Sequence, residues 1–345
     1  MKKILITGGC GFVGSTLAIK LKKKYPQHEI ICMDNLKRRG SELNIRRLVK
    51  NKIKYIHGDV RCKEDFEGIK FDMMIECSAE PSVMAGVDSS PAYVINTNLV
   101  GTINCLEAVR KNNAQLIFLS TSRVYPMTSI NNMKYRETNT RFDNIDYDGL
   151  GEDNVTSGAK SLYGMTKYAS EMLIEEYMAA YNVKAIINRC GVIAGPWQMG
   201  KVDQGVMTLW VLHHMLGKPL KYIGYGGKGK QVRDFVHIDD IFNLIDRQIH
   251  QFHKYTGELF CVGGGIKNSF SLMELTQACE EVVQCGIKID EIKETRKNDI
   301  KWYITDYSKV YATMNWEPQK DLKQTVKDIY DWLFEYKYDL KGILW

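Results

Sequence analysis

The 345-residue sequence holds nine cysteines but no pair at Cys-x-x-Cys spacing. None has a neighbouring histidine that would complete a zinc set, which excludes a zinc-ribbon or dithiol redox reading and leaves no metal site to assign. Several cysteines lie inside apolar runs, as expected of free, buried thiols in a reducing compartment. No apolar run approaches the roughly 20 residues that a membrane span needs. The run after Met1-Lys2-Lys3 stops at Gly8, too short for the apolar region of a secretory leader, so a cytoplasmic location is expected and no membrane partner. A strong charge of one sign is also missing. Lys plus Arg number 47 against 41 Asp plus Glu, a formal charge of +6, and the lysines are scattered. Nothing there calls for nucleic acid. Repeats and low-complexity tracts are absent too. A chain of this length buries one large core and a second lobe.

What is present begins at the N-terminus. The apolar run Ile4-Leu5-Ile6-Thr7 breaks at Gly8-Gly9-Cys10-Gly11, and an amphipathic stretch opens at Phe12 and runs to about Lys24. Strand, tight turn and helix in that order form the entry unit of a dinucleotide-binding sheet. Glycine at 8 permits the turn, glycine at 11 lets the backbone approach a pyrophosphate, and glycine at 14 lets the helix pack close. A second apolar run, Ile30 to Met33, ends in Asp34, about 20 residues further on, where a carboxylate accepts the ribose hydroxyls of NAD. Asp34 would repel the 2′-phosphate of NADP, although Arg38 and Arg39 stand nearby in sequence.

Through roughly residue 190 short apolar runs alternate with helical stretches, the pattern of an α/β, doubly wound parallel sheet covered on both faces. Strands are expected at Lys54 to His57, Met73 to Cys77, Gln115 to Leu119 and Lys184 to Asn188, with long helices at Ala92 to Asn112 and Leu162 to Tyr181. Residues 126–160, rich in Asn, Asp, Thr and Gly, read as a long excursion. The expected division is a dinucleotide-binding domain over 1–188, with 237–263 returning to it, and a smaller mixed α/β substrate lobe over 189–345. In that lobe a helix should start after Ser271, with Glu274 completing a capping box, and a last helix should cover Leu322 to Phe334.

Tyr163 and Lys167 stand four apart near a helix start, so both project from one face. Of the 19 tyrosines only Tyr163 has lysine at this spacing. Such a lysine holds the nicotinamide ribose and lowers the tyrosine pKa, letting the phenolate take a proton from a sugar hydroxyl as hydride leaves the carbon. Thr121, at the end of the fifth strand, offers a hydroxyl to the reacting oxygen, with Ser122 as the second candidate.

Together these segments resemble the extended short-chain dehydrogenase/reductase superfamily of nucleotide-sugar epimerases and dehydratases over nearly the whole chain. Thr7 to Gly14 is similar to its cofactor loop, Gly58-Asp59-Val60 to its adenine contact, and Asn98 to an Asn of its long helix. Thr121 with Val124-Tyr125 and Tyr163 with Lys167 resemble its catalytic segments. Arg189 to Pro196 and Arg233-Asp234-Phe235-Val236-His237 resemble its substrate-lobe motifs. The resemblance implies tightly bound NAD, contacted by Gly8, Gly11, Phe12, Val13, Asp34 and Asn35, then by Asp59, Val60, Ala79, Asn98, Tyr163 and Lys167. It implies catalysis by Thr121, Tyr163 and Lys167. Substrate contacts would come from Glu80, Ser122, Arg123, Arg189, Gln204, Arg233 and Arg296, Arg233 holding the nucleotide diphosphate. Arg296 and Asp299 look like the family's Arg-x-Gly-Asp with Asn298 in place of Gly. A homodimer or homotetramer, formed through two long helices, is implied as well.

Within that superfamily, dehydratases resemble one another in carrying Asp-Glu directly after the active-site Thr, whereas this chain has Ser122-Arg123. UDP-galactose-type 4-epimerases tend to carry Asn where this chain has Val192. Residues 157–164, 195–205 and 229–234, with Trp302 to Asp306, instead resemble the branch that inverts C2 of a CDP-linked deoxyhexose (the CDP-paratose to CDP-tyvelose type) through a transient 2-keto sugar. A 4-epimerase, reductase or dehydratase on another nucleotide sugar is the alternative. A non-enzymatic dinucleotide sensor is disfavoured, because a sensor has no use for Tyr163 as a proton acceptor.

Overall fold

The computed structural model of the chain describes residues 1–200 and 204–344. Lys201, Val202 and Asp203, inside the 195–205 stretch singled out above, lie outside the described residues. The chain divides into two compact units, one of residues 1–121, 162–189 and 242–259, the other of 122–161, 190–241 and 260–345.

The first unit alternates strand and helix. β1 (Lys3–Thr7), α1 (Phe12–Lys24), β2 (Glu29–Asp34), α2 (Ser41–Lys50), β3 (Lys54–His57) and β4 (Met73–Glu76) lead to a long helix, α3 (residues 92–112). Then come β5 (Gln115–Thr121), α4 (Leu162–Tyr181), β6 (Lys184–Cys190), α5 (Ile238–His250), whose first four residues cluster with the second unit, and β7 (Leu259–Val262), which passes into the second unit after Leu259. The seven strands run in the order β7-β6-β5-β4-β1-β2-β3. β1 pairs in parallel with both β2 and β4, so the strand order reverses at β1. Open α/β sheets take ligands at that crossover, beyond the carboxyl ends of the strands. Ile4, Leu5 and Ile6 are wholly buried, as are Met73, Met74 and Ile75. Unbroken apolar runs of this kind suit strands covered on both faces rather than on one. Leu5, Met74, Leu116 and Phe118 form one face of the core, met by Leu106 and Val109 of α3 and Ile174 of α4. Each such side chain contributes about 1.5–3 kcal/mol on burial.

The long helix from Ala92 to Asn112 is present but not uniform. Asn96–Val100 is π-helical between the α-helical segments Ala92–Ile95 and Gly101–Asn112. The wider turn places the Asn98 carbonyl within hydrogen-bond reach of Thr102 Oγ1 (2.8 Å) and Ser170 Oγ (3.2 Å). Single π turns concentrate at functional positions, and a hydrophobic period cannot reveal them.

The second unit is built on Val232–His237, which pairs with Val192–Ala194, Trp302–Tyr303 and, antiparallel, Ser269–Ser271. Helices Val206–Leu216, Leu272–Val283 and Leu322–Glu335 pack on one another. The capping box forms as expected: the Glu274 N–H donates to Ser271 Oγ and the Ser271 N–H to Glu274 Oε2. Residues 122–161 cluster with this unit rather than with the first. The excursion contains a helical turn, Met127–Asn131, and a hairpin of Tyr135–Glu137 with Phe142–Asn144. It is tied down by Leu150, whose N–H donates to Ile304 O (2.8 Å) and whose carbonyl accepts from Asp306 N–H (3.0 Å). With those residues added, the two units are nearly equal in size.

Candidate active site

In the first unit the turn after β1 has no room for a side chain at Gly8 or Gly14. Gly8 takes φ +64°, and a Cβ there would stand 2.8 Å from the Cys77 carbonyl oxygen. A Cβ on Gly14 would stand 2.3 Å from the Gly8 carbonyl oxygen. Both positions demand glycine. Gly11 is the N-cap of α1, no side chain caps that end, and the first turn, opened by Phe12 and Val13, holds no acidic residue. Lys22, Lys23 and Lys24 close the other end. An uncapped helix start with its dipole so complemented favours an anion.

Asp34 ends β2 and is fixed by backbone. Its Oδ2 accepts the Cys10 N–H at 3.0 Å and its Oδ1 the Leu36 N–H at 2.8 Å. Burial pushes its carboxyl up, and these N–H groups pull it back. Each carboxylate oxygen has two acceptor positions, so capacity for ribose hydroxyls remains. Asn35 donates to Asp59 Oδ2 at 2.9 Å, and Arg61 grips both Asp59 oxygens. The Arg61 guanidinium holds the Asp59 carboxyl down at about 2. The Val60 side chain sits in the core, and its carbonyl accepts from Asn104 Nδ2 at 2.8 Å. A turn with no room for a Cβ, an uncapped helix start and a strand-end carboxylate together fit a dinucleotide.

The tail of β4 carries half-buried Ala79 and Glu80. Asn98, buried in the π turn, pins it: Asn98 Oδ1 accepts the Glu80 N–H at 2.8 Å, and Asn98 Nδ2 donates to Glu80 O and to Thr166 Oγ1, both at 3.1 Å. Asn98 thus ties the β4 tail to the first turns of α4, between Tyr163 and Lys167. The Glu80 side chain accepts the Ser82 N–H.

Thr121 is the last residue of β5 and is buried. Tyr163 and Lys167 lie one turn apart on α4, which packs on β5. Tyr163 is half-buried, whereas Lys167 is 2% exposed, its ammonium 3.9 Å from the centre of the Phe118 ring. A lysine so deep is rare without a compensating charge.

Arg189, expected to meet substrate, is committed elsewhere. Its guanidinium pairs with Glu171 of α4 at 2.8 Å, and both side chains are almost wholly buried. Ser120 Oγ donates to the same carboxylate. Two charges leave water here only because they satisfy one another, so the Arg189 fork locks α4 to β6. Sequence reasoning missed Glu171. The signal was there, since Glu171 falls four residues after Lys167, on the same buried stripe of the helix.

The second unit holds the other expected substrate residues. Ser122 and Arg123 form the turn after β5, both half-buried, and Gln204 is also half-buried. Arg233 donates through its Nη2 to Asp299 Oδ1 (2.8 Å) and Ile300 O (2.7 Å), and through Nη1 to Val232 O (2.7 Å). Three of its five N–H donors are thereby used, which leaves capacity for an anion. The Arg296–Asp299 segment has a role in this: Asp299 aims Arg233. Asn298 replaces the family glycine at φ +62°, a left-handed conformation that Asn tolerates better than most residues. Arg296 is half-buried in the same loop.

No helix among the described residues is long and apolar enough to cross a membrane. No group of three or more His, Cys, Asp or Glu among them could hold a metal ion.

A loop cut for a dinucleotide pyrophosphate, a strand-end carboxylate and a Tyr–Lys helix define the class, and the chain belongs to the NAD dependent epimerase/dehydratase family, whose model matches residues 4–263. Its cofactor is NAD, as Asp34 led one to expect. CDP-paratose 2-epimerase of Salmonella typhi is 30% identical over 96% of this chain and 98% of that protein. The dTDP-glucose 4,6-dehydratase of Salmonella typhimurium is 24% identical, over 96% of this chain and 92% of its own. Among solved structures, UDP-glucose 4-epimerase of Thermotoga maritima with UDP-glucose matches with a TM-score of 0.78 and 25% identity, covering 97% of this chain and 99% of that one. The chain is therefore an NAD-dependent nucleotide-sugar epimerase/dehydratase, on the Rossmann-type sheet its sequence pattern implies.

Proposed function

We propose that the chain inverts C2 of a CDP-linked deoxyhexose, the reaction type of CDP-paratose 2-epimerase. The observation that carries this is the end-to-end similarity to that enzyme, 30% identity with nearly complete coverage of both proteins. The turn after β5 supports it. Elimination of water needs an acid and a base beside the reacting oxygen, and Ser122-Arg123 supplies no carboxylate.

Bound NAD would accept a hydride from a sugar carbon and return it. The chain's residues would hold that cofactor at the Gly8–Gly11–Gly14 turn, the start of α1 and Asp34. Lys167, one turn along α4, favours the phenolate of Tyr163 through its charge. The Tyr163 oxygen takes the proton of the C2 hydroxyl as the 2-keto sugar forms, and gives it back after the sugar has turned its other face. Thr121 Oγ1 donates to the developing carbonyl oxygen together with the Tyr163 hydroxyl. Arg233, aimed by Asp299, holds the diphosphate while the sugar turns. A cytoplasmic homo-oligomer goes with this reading.

The 4-epimerase of Thermotoga maritima supports a second reading, inversion at C4 by the same residues. Turnover separates them. The purified protein, offered CDP-paratose, UDP-glucose and dTDP-glucose, should yield a product of unchanged mass inverted at C2 from the first. Inversion at C4 of UDP-glucose alone would favour the second reading, and loss of water would overturn the argument from Ser122-Arg123.

A further inference from the structure

Glu76 is a buried acid that the reaction above does not use. It ends β4, and its register partners are Thr7 on β1 and Phe118 on β5. Residues two apart on a strand share a face, so Glu76 points the same way as Met74, into the layer covered by α3 and α4. Its Oε1 accepts from Thr102 Oγ1 of α3 at 2.5 Å, and its Oε2 has no hydrogen-bond partner. Only 2% of the residue is exposed, and Lys167 is equally buried, with its ammonium over Phe118, the strand neighbour of Glu76. The groups facing the carboxylate are thus Thr7 from β1, Thr102 and Cys105 from α3, Phe118 from β5 and Lys167 from α4. Lys167 is the one cation among them.

We propose that Glu76 is a positioning residue whose carboxylate is the buried counter-charge of Lys167, keeping that ammonium protonated behind Tyr163. The proposal rests on the reading of Tyr163 and Lys167 as the reacting pair. A lysine removed from water loses its proton more easily unless an anion stands by, and a carboxylate removed from water gains one unless a cation does. Each group here answers the demand of the other. Burial pushes the Glu76 carboxyl up, and Lys167, Thr102 and Cys105 pull it back. Thr102 holds the carboxylate by one oxygen. Glu76 therefore acts on Tyr163 only through Lys167.

The test reads Lys167 directly and needs no substrate. Proton–carbon NMR of the Lys side-chain Cε groups, with the Lys167 signal assigned by its loss in Lys167→Met, follows its titration. Glu76→Gln keeps the shape of the side chain and removes its charge, and should lower the Lys167 midpoint by about one pH unit or more. Glu76→Asp keeps the charge on a shorter stem, and should stay near the wild-type midpoint. A purely structural role predicts the reverse order, with the isosteric Gln harmless and the shortened Asp disruptive. An unchanged midpoint in Glu76→Gln overturns the proposal. Should that variant fail to fold, the wild type still decides: a Lys167 midpoint well below the ordinary lysine value of about 10.4 means that no counter-charge is at work. In the active enzyme, Glu76→Gln should also move the high-pH limb of kcat to lower pH. A wrong substrate assignment would leave the Lys167 titration as predicted, so the two failures are distinguishable.

Discussion

Single residues carry most of the chemistry, and two of them can be tested alone. Tyr163→Phe removes one oxygen from a half-buried ring on α4 and leaves the cofactor turn intact. It should lower kcat by about 10²–10⁴, the usual worth of a positioned proton acceptor, while calorimetry shows CDP and NAD binding retained. A variant of near-normal rate would remove Tyr163 from the mechanism. Asp34 is held by the N–H groups of Cys10 and Leu36, so its carboxylate stands at a fixed place. Asp34→Ala should weaken NAD by about 10–100-fold, the worth of charged hydrogen bonds, and narrow its preference over NADP. Calorimetry with both cofactors checks this, and an unchanged ratio would contradict it. Residue identities were legible where chemistry alone selects them, as at Gly8, Gly14 and Asp34. They were less legible where a partner decides. Arg189 reads as a substrate arginine until Glu171 is seen to hold it, and the Asn98 amide looks available until the β4 tail takes it.

At the scale of elements, the periods of the apolar residues gave α1, β3 and α4 to the residue and most other boundaries to within two. They missed the π turn at Asn96–Val100, because one widened turn barely shifts a hydrophobic stripe. They also missed the hairpin within 126–160, whose strands are three residues each, too short to show alternation. α4 carries Tyr163 and Lys167, the pair proposed to react, and the Arg189–Glu171 ion pair ties it to β6. Arg189→Met should destabilise the protein by about 3–5 kcal/mol, because it strands a buried carboxylate. Replacing Glu171 by Leu as well should recover much of that loss. Denaturant midpoints of the single and double variants measure both effects. A single variant within about 1 kcal/mol of wild type would mean the pair is not what holds the helix.

For the whole molecule, the sequence showed that two parts were present more clearly than which residues belong to each. The chain passes between the units at Thr121–Ser122, Ser161–Leu162, Arg189–Cys190, Ile241–Phe242 and Leu259–Phe260. The polar stretch 126–160 and the change of pattern near Arg189 lie close to three of these passages, whereas Ile241–Phe242 and Leu259–Phe260 fall inside regular elements and leave no mark in the sequence. Thr121 and Ser122, adjacent in sequence, fall in different units, and the same is true of Arg189 and Cys190. On the proposed reading this molecule oxidises and re-reduces one carbon, C2, of a CDP-linked sugar. The most direct measurement uses CDP-paratose carrying deuterium at C2, with the product read by NMR and mass. Inversion at C2 with the deuterium still on that carbon is expected, since the atom leaves and returns at the same place. Inversion with loss of deuterium to water, or no reaction at C2, would contradict it.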